Sequence, residues 1–277
     1  VKGLVSNQFL GNYKSVFKGV GLEFEDYRRY DPSNDDASRI DWKASKRVGQ
    51  ILVKEFVEER NLEIVFLVDV SSPMLTSSTE KLKAEYIAEL VSALSQGVLG
   101  AGDSVGLVLF SNKIIKDLRP QQGMAQYYSM LRDISNTSNY GGYSDVNLVL
   151  DYAFKKINSG ALVILVSDFI YGLKSENLLK LAAKKFDLIF MMVRDPRDLT
   201  FPEGSGEVLL EDPYSGSTLL VSPKNIKDEY KKNVLSEMNQ LKGRVIKCGA
   251  DFLFLQTDKP FVRELIRFFK MRADRWR

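Results

Sequence analysis

Four stretches of the chain are apolar almost from end to end: Leu62–Val68, Ser104–Phe110, Ala161–Ser167 and Asp187–Val193. A strand with one wet face alternates apolar and polar residues, whereas a parallel strand covered on both faces has no polar positions to fill. Between these runs the apolar residues recur at steps of three or four. Glu80–Leu99 places Leu82, Tyr86, Leu90, Val91, Leu94 and Val98 on one stripe, and Asp145–Ile157 does the same with Val146, Val149, Leu150, Ala153, Phe154 and Ile157. Buried strands alternating with amphipathic helices predict an α/β fold, a Rossmann-like and mostly parallel sheet flanked by helices with right-handed crossovers.

Weaker signals extend the pattern. Ala250–Leu255 is a candidate closing strand, and Lys113–Leu118, after a Ser-Asn turn, is a candidate antiparallel edge strand. Ser77 with Glu80 reads as a capping box opening the first long helix. Further helices are expected at Ser175–Ala183, at Lys224–Leu241 with Ser222 as cap and Pro223 in the first turn, and at Asp258–Met271 behind Pro260. Two domains are expected. Residues 1–60 read as a small β-rich region packed on the main domain, with short strands at Leu22–Phe24 and Ile51–Phe56. Residues 61–277 read as the α/β domain, with a protruding hairpin near 195–221 whose arms are Glu207–Glu211 and Ser217–Val221.

Composition removes several chemistries. Among 277 residues there is no histidine, which excludes His-dependent triads and His-ligated zinc, and one cysteine, Cys248, which excludes disulfides within the chain. The formal net charge is only +3, and its basic part gathers near the C-terminus, where Lys259 to Arg277 hold seven basic residues against two acidic ones. No nucleic-acid partner is expected from so local an excess. Neither GxGxxG nor GxxxxGK[ST] occurs, so no phosphate cradle is expected. No apolar run is long enough to span a membrane, and a cytoplasmic location is expected.

Chemistry concentrates at strand ends. The first run leads into Asp69-Val70-Ser71-Ser72-Pro73-Met74, the third ends in Ser167-Asp168, and Gly141-Gly142-Tyr143-Ser144-Asp145 precedes the second helix. Ligands in open α/β sheets bind outside the carboxyl ends of the strands. If the three segments meet there, Asp69, Ser71, Ser144 and Asp168 surround one point. That hard oxygen set suits Mg²⁺ or Mn²⁺, with an open position for a carboxylate from another molecule.

These segments together resemble the von Willebrand factor A domain, whose metal-ion-dependent adhesion site is written Asp-x-Ser-x-Ser, then a Thr, then an Asp. An upstream stretch, Gly19-Val20-Gly21-Leu22-Glu23-Phe24-Glu25-Asp26-Tyr27-Arg28-Arg29-Tyr30, narrows the resemblance. So do Asp35-Asp36-Ala37-Ser38-Arg39-Ile40-Asp41-Trp42-Lys43, Val53-Lys54-Glu55-Phe56 and Glu58-Glu59-Arg60. They resemble a bacterial and archaeal A-domain relative, domain of unknown function fifty-eight, over roughly Gly19 to Arg272. The resemblance implies a non-catalytic interaction or adaptor subunit. Its implied partner is a MoxR-type AAA+ ATPase, with other A-domain proteins beside it, in chaperone-like assembly or maturation. Two departures stand out. Pro73 occupies the third hydroxyl position of Asp-x-Ser-x-Ser, and Ser144 occupies the place of the Thr.

Other readings accompany this one. A Mg-dependent phosphohydrolase with Asp69 as nucleophile is the alternative, although such enzymes place a second Asp where Ser71 stands. Asp145 reads as a helix cap, and Arg39–Lys43 as a structural pin held by burial of Trp42. Cys248 reads as a small buried hydrophobe, and Phe261, Leu265, Phe268 and Phe269 as core.

Overall fold

The structure, a computed structural model, describes residues 26–31, 36–55, 62–201, 206–212 and 216–275. The expected strand at Leu22–Phe24 lies outside the described residues. In the N-terminal part, β1 (Asp26–Arg29) and β2 (Leu52–Glu55) pair antiparallel, and helix α1 (Trp42–Val48) stands between them. The expected strand at Ile51–Phe56 is thus present, but the helix was missed. Asp41 supplies its cap by accepting from Lys43 N and Ala44 N, and Gly49 ends it in the left-handed conformation. Trp42 corrects the reading of a buried pin. It is 67% exposed, because the capping geometry of Asp41 turns the first helical residue to solvent.

The main sheet is built on β3 (Glu63–Asp69), followed by α2 (Lys83–Gly100), β4 (Ser104–Phe110), β5 (Ile114–Gln121), α3 (Met124–Ile134) and α4 (Val146–Lys156). The chain continues through β6 (Leu162–Ser167), α5 (Glu176–Lys185), β7 (Asp187–Arg194), the hairpin β8 (Val208–Glu211) and β9 (Thr218–Val221), α6 (Pro223–Lys247), β10 (Asp251–Gln256) and α7 (Phe261–Arg275). The strand order is β10-β7-β6-β3-β4-β5, parallel except for β5. The four apolar runs are the four central strands. The two weaker runs are the two edges, one parallel and one antiparallel, and Pro120 is tolerated because β5 is an edge. Gly106 in β4 permits the close approach of β5, since a Cβ there would lie 2.9 Å from the Leu118 carbonyl oxygen.

Alternation along each central strand feeds two cores. Ile64, Phe66 and Val68 pack with Tyr86, Ile87, Leu90 and Leu94 of α2, with Met130 and Ile134 of α3, and with Leu265, Phe268 and Phe269 of α7. Val65 and Leu67 face Val149, Leu150 and Ala153 of α4, Leu179 and Ala182 of α5, and Leu241 and Val245 of α6. Removing a side chain such as Phe66, fully buried here, from water contributes about 1.5–3 kcal/mol.

Helix boundaries depart from expectation in three helices, of which α7, observed at Phe261–Arg275, begins three residues and ends four residues later than expected. α2 begins at Lys83, not Glu80. Its opening backbone N–H, at Leu82, is accepted by Glu85 at 2.9 Å, while Ser77 donates to the Lys81 carbonyl oxygen at 2.6 Å. The polar run Ser77–Lys81 satisfies itself as a turn and leaves nothing to cap a helix at Glu80. α6 runs six residues past Leu241, because Val245 continues its buried stripe one turn further.

Candidate functional site

The sheet order creates a crevice. From β3 the chain goes to β4 on one side and returns through α3 and α4 to β6 on the other, so β3 and β6 flank a topological switch point. Their ladder pairs residues as far as Val68 and Val166, so Asp69 and Ser167 leave the sheet side by side. The third segment is tied down by backbone. Gly141 N donates to Val70 O at 2.8 Å, and Ser72 N donates to Gly142 O at 2.9 Å. Gly142 has φ +75°, and a Cβ there would stand 2.8 Å from Asn112 Oδ1, so glycine is required for this loop to fold onto the strand end.

The result is a closed oxygen cluster. Ser144 Oγ and Ser167 Oγ each donate to Asp69 Oδ2 at 2.6 Å, and Ser71 N donates to Asp69 Oδ1 at 2.8 Å. The Ser167 hydroxyl is oriented in turn by accepting from Phe169 N at 3.0 Å. Phe169 has φ +52°, a left-handed conformation rare for an aromatic residue, stabilised by stacking on Phe190 with centroids 5.3 Å apart. The Ser71 hydroxyl is buried and makes no well-formed hydrogen bond, although it lies near enough to Asp69 to help hold its carboxyl down. Burial, and then the charge of Asp168, push the Asp69 carboxyl above its ordinary range, against the pull of the Ser144 and Ser167 hydroxyls.

Asp168 arrives at the same rim with different company. Its Oδ1 accepts from Ile170 N at 3.1 Å, and its Oδ2 lies 2.9 Å from Lys83 Nζ. Lys83 is fully buried and also reaches Asp198 Oδ2 at 3.0 Å. Burial pulls the ammonium toward neutrality, but the charges of Asp168 and Asp198 outweigh it and hold the group above its ordinary range. Asp198, in the single turn Pro196–Asp198, also accepts from Asp195 N at 2.9 Å. Asp195 accepts from Ser78 N at 2.8 Å and from the Ser78 hydroxyl. Burial would raise the Asp195 carboxyl, but the Ser78 donors, the Arg197 N–H and the Lys83 charge hold it below its usual range.

Asp69, Ser71, Ser144 and Asp168 therefore converge, but the expected open coordination position is covered. Asp69, Ser71 and Asp168 are at most 1% exposed and Ser144 is 7% exposed. Two hydroxyls engage the Asp69 carboxyl, and the Lys83 ammonium engages Asp168. Asp145 caps α4 as expected, accepting from Asn147 N and Leu148 N. Residue reading missed Ser167, Lys83, Asp195 and Asp198. Lys83 alone carried a usable signal, a lysine at helical spacing with Tyr86, Ile87, Leu90 and Leu94.

Outside the cluster the surface is mixed, with large apolar side chains among exposed Thr76, Ser77 and Lys174. The three segments that converge present Leu75, Tyr143, Ile170 and Tyr171 as exposed large side chains. The hairpin β8–β9 exposes Leu209, Leu210, Leu219 and Leu220.

A six-stranded sheet in this order, flanked by helices and bearing an Asp-x-Ser end at its switch point, defines a von Willebrand factor A-like protein. The chain matches the profile described as protein of unknown function DUF58 over residues 26–240, and it belongs to that family. Uncharacterized proteins of Mycobacterium tuberculosis and Mycobacterium bovis are each 23% identical over 276 residues, covering 98% of this chain and 86% of theirs. Among solved structures, the conserved hypothetical protein BatB from Bacteroides thetaiotaomicron superposes with a TM-score of 0.52 at 16% identity. That match covers 77% of this chain and all of BatB. The SpRpn10 VWA domain is similar at a TM-score of 0.43 and 10% identity, over 75% of this chain and 94% of that one. No helix among the described residues is long and apolar enough to cross a membrane.

Proposed function

We propose that the chain is a non-catalytic protein-interaction or adaptor module that works in the cytoplasm and docks a MoxR-type AAA+ ATPase, with other A-domain proteins as further contacts, in assembly or maturation. The observation that supports this reading is the pairing of a rigid polar cluster beneath with Leu75, Tyr143, Ile170 and Tyr171 exposed on the same three segments. Tyrosines are among the side chains that dominate binding energy at protein interfaces, and apolar neighbours help to exclude water around them. The family membership is compatible with it.

A metal-bridged form of this docking is favoured by one observation, the buried Ser71 hydroxyl, which makes no well-formed hydrogen bond beside Asp69. Asp69, Ser71 and Ser144 are the hard donors that would hold Mg²⁺ or Mn²⁺, and the ion would offer a partner carboxylate a Lewis-acidic contact. Asp168, the fourth residue of that set, is engaged by Lys83 and Ile170 N and does not fit as a free ligand. The phosphohydrolase alternative has less support, since both oxygens of Asp69 accept hydrogen bonds inside a closed cluster.

The test is equilibrium binding of a purified MoxR-type ATPase to the chain and to a Tyr143→Ala/Tyr171→Ala variant. Wild type binds, and the variant binds at least about tenfold more weakly with unchanged thermal unfolding. Absence of wild-type binding removes this partner, and an undiminished variant removes this face. Repeating the titration with chelator separates the two forms of docking, because only the metal-bridged form weakens.

A further inference from the structure

We infer that Lys83 is the resident cation of the rim: its ammonium holds the second carboxylate, Asp168, where a divalent ion would otherwise be drawn, and keeps the affinity of the oxygen cluster for such ions low. Three observations carry this. First, Lys83 is the opening residue of α2, where the helix dipole disfavours positive charge, and it is fully buried, where an unpaired ammonium is costly. Neither helix propensity nor packing accounts for a lysine there; two carboxylates at 2.9 and 3.0 Å do. Second, the ammonium takes Asp168 Oδ2 while Ile170 N takes Oδ1, so both oxygens of that carboxylate are committed. Third, Pro73 removes the hydroxyl that would have strengthened the ligand set on the opposite side.

The same contact extends the rim. Through Asp198, Lys83 joins the Asp168 strand end to the turn at Pro196–Asp198, and Asp195 joins that turn to Ser78 in the segment before α2. A divalent ion bound by Asp69 would find the neighbouring carboxylate, Asp168, already neutralised by Lys83. Without Lys83, the cluster would hold two carboxylates and three hydroxyls, a set suited to Mg²⁺ or Mn²⁺.

This inference concerns the same rim as the docking proposal but does not require docking. The experiment is a Mn²⁺ titration of the full chain, read by the electron paramagnetic resonance signal of free Mn²⁺, for wild type, Lys83→Met and Asp168→Asn. Wild type should bind Mn²⁺ no tighter than the millimolar range. Folded Lys83→Met should bind at least about tenfold more tightly, as expected when an opposing charge beside the site is removed. Asp168→Asn should bind as wild type does, because in wild type that carboxylate belongs to Lys83. Micromolar wild-type binding, no gain in folded Lys83→Met, or a tenfold loss in Asp168→Asn would each overturn the inference. Should Lys83→Met fail to fold, wild type and Asp168→Asn decide the matter. None of these results bears on whether the collar of Tyr143 and Tyr171 binds a partner.

Discussion

Replacing Lys83 by methionine should destabilise the chain more than any neutral substitution elsewhere in the rim. Both side chains of the Lys83–Asp168 pair are 1% exposed, so neither charge is screened by solvent. Methionine matches the lysine stem in volume, and the effect is therefore electrostatic rather than a cavity. Breaking a buried pair by removing one partner leaves the other charge uncompensated and costs about 3–5 kcal/mol. Asp198, with its side chain 18% exposed, can turn toward water when the ammonium is gone; Asp168 cannot. Neutralising Asp168 as well removes the stranded charge, so the double change should cost little more than Lys83→Met alone. Alone, Asp168→Asn should cost less, about 1.5–3 kcal/mol, since Lys83 keeps Asp198 and forfeits one charged hydrogen bond. Lys83→Met/Asp168→Asn should then cost less than the two single changes combined, with a coupling of about 2 kcal/mol. Urea unfolding followed by far-ultraviolet circular dichroism gives all four corners of the cycle. A coupling under about 0.5 kcal/mol would refute the reasoning, because it would mean the two charges are independently solvated.

Two further outcomes follow from the same electrostatics. The Asp69 carboxyl is held above its ordinary range in the folded chain, so its unfolded form ionises first, and its contribution to stability is present at acid pH and lost as pH rises through the folded value. Asp69→Asn should therefore gain stability relative to wild type as pH rises above the ordinary carboxylate range, about pH 4, measured by urea midpoints, and a difference independent of pH would contradict the assignment. Arg272→Met should cost about 1–3 kcal/mol and raise hydrogen exchange in α7. The guanidinium, 2% exposed, bonds both oxygens of Asp187 at 2.6 Å and reaches Asp251 at 3.1 Å, joining the helix to the first residues of two adjacent strands, but those carboxylates are partly solvated. Unchanged exchange in α7 would show that its apolar stripe alone fixes it.

The sheet was legible because burial on both faces leaves a mark in composition that no turn or cap disguises. Ser104–Phe110 is the strand to the residue, and the other three central runs shift by one residue. α3 was missed for the opposite reason. Its buried side chains are Gln126, Met130, Asp133 and Ile134, and two of the four are polar. Gln126 is inside because its amide donates to the carbonyl oxygens of Val105 and Arg119, which only the bulged pairing of β4 and β5 brings together. The misplaced start of α2 has the same origin. Ser77 looks like a cap until its hydroxyl is found on the Lys81 carbonyl oxygen, in a turn that Asp195, more than a hundred residues away, fixes through Ser78.

The rim was half legible, and the boundary falls between local and distant chemistry. Asp69, Ser71, Ser144 and Asp168 could be grouped because each stands at a strand end or helix start that the sheet topology brings to one place. Whether such a group is open or closed depends on what else reaches it, and that is set by Lys83 and Ser167. A serine one residue before an aspartate carries no signal of its own. A lysine on an apolar stripe does, because its head group cannot remain there without a carboxylate. The stripe points inward and the helix start points at the carboxyl ends of the strands, so the partner had to be one of the acids gathered there. Read that way, a buried lysine in the first turn after an Asp-x-Ser strand end marks a rim that supplies its own positive charge. The apolar side chains around it, rather than the oxygens beneath, are then what the rim exposes to solvent.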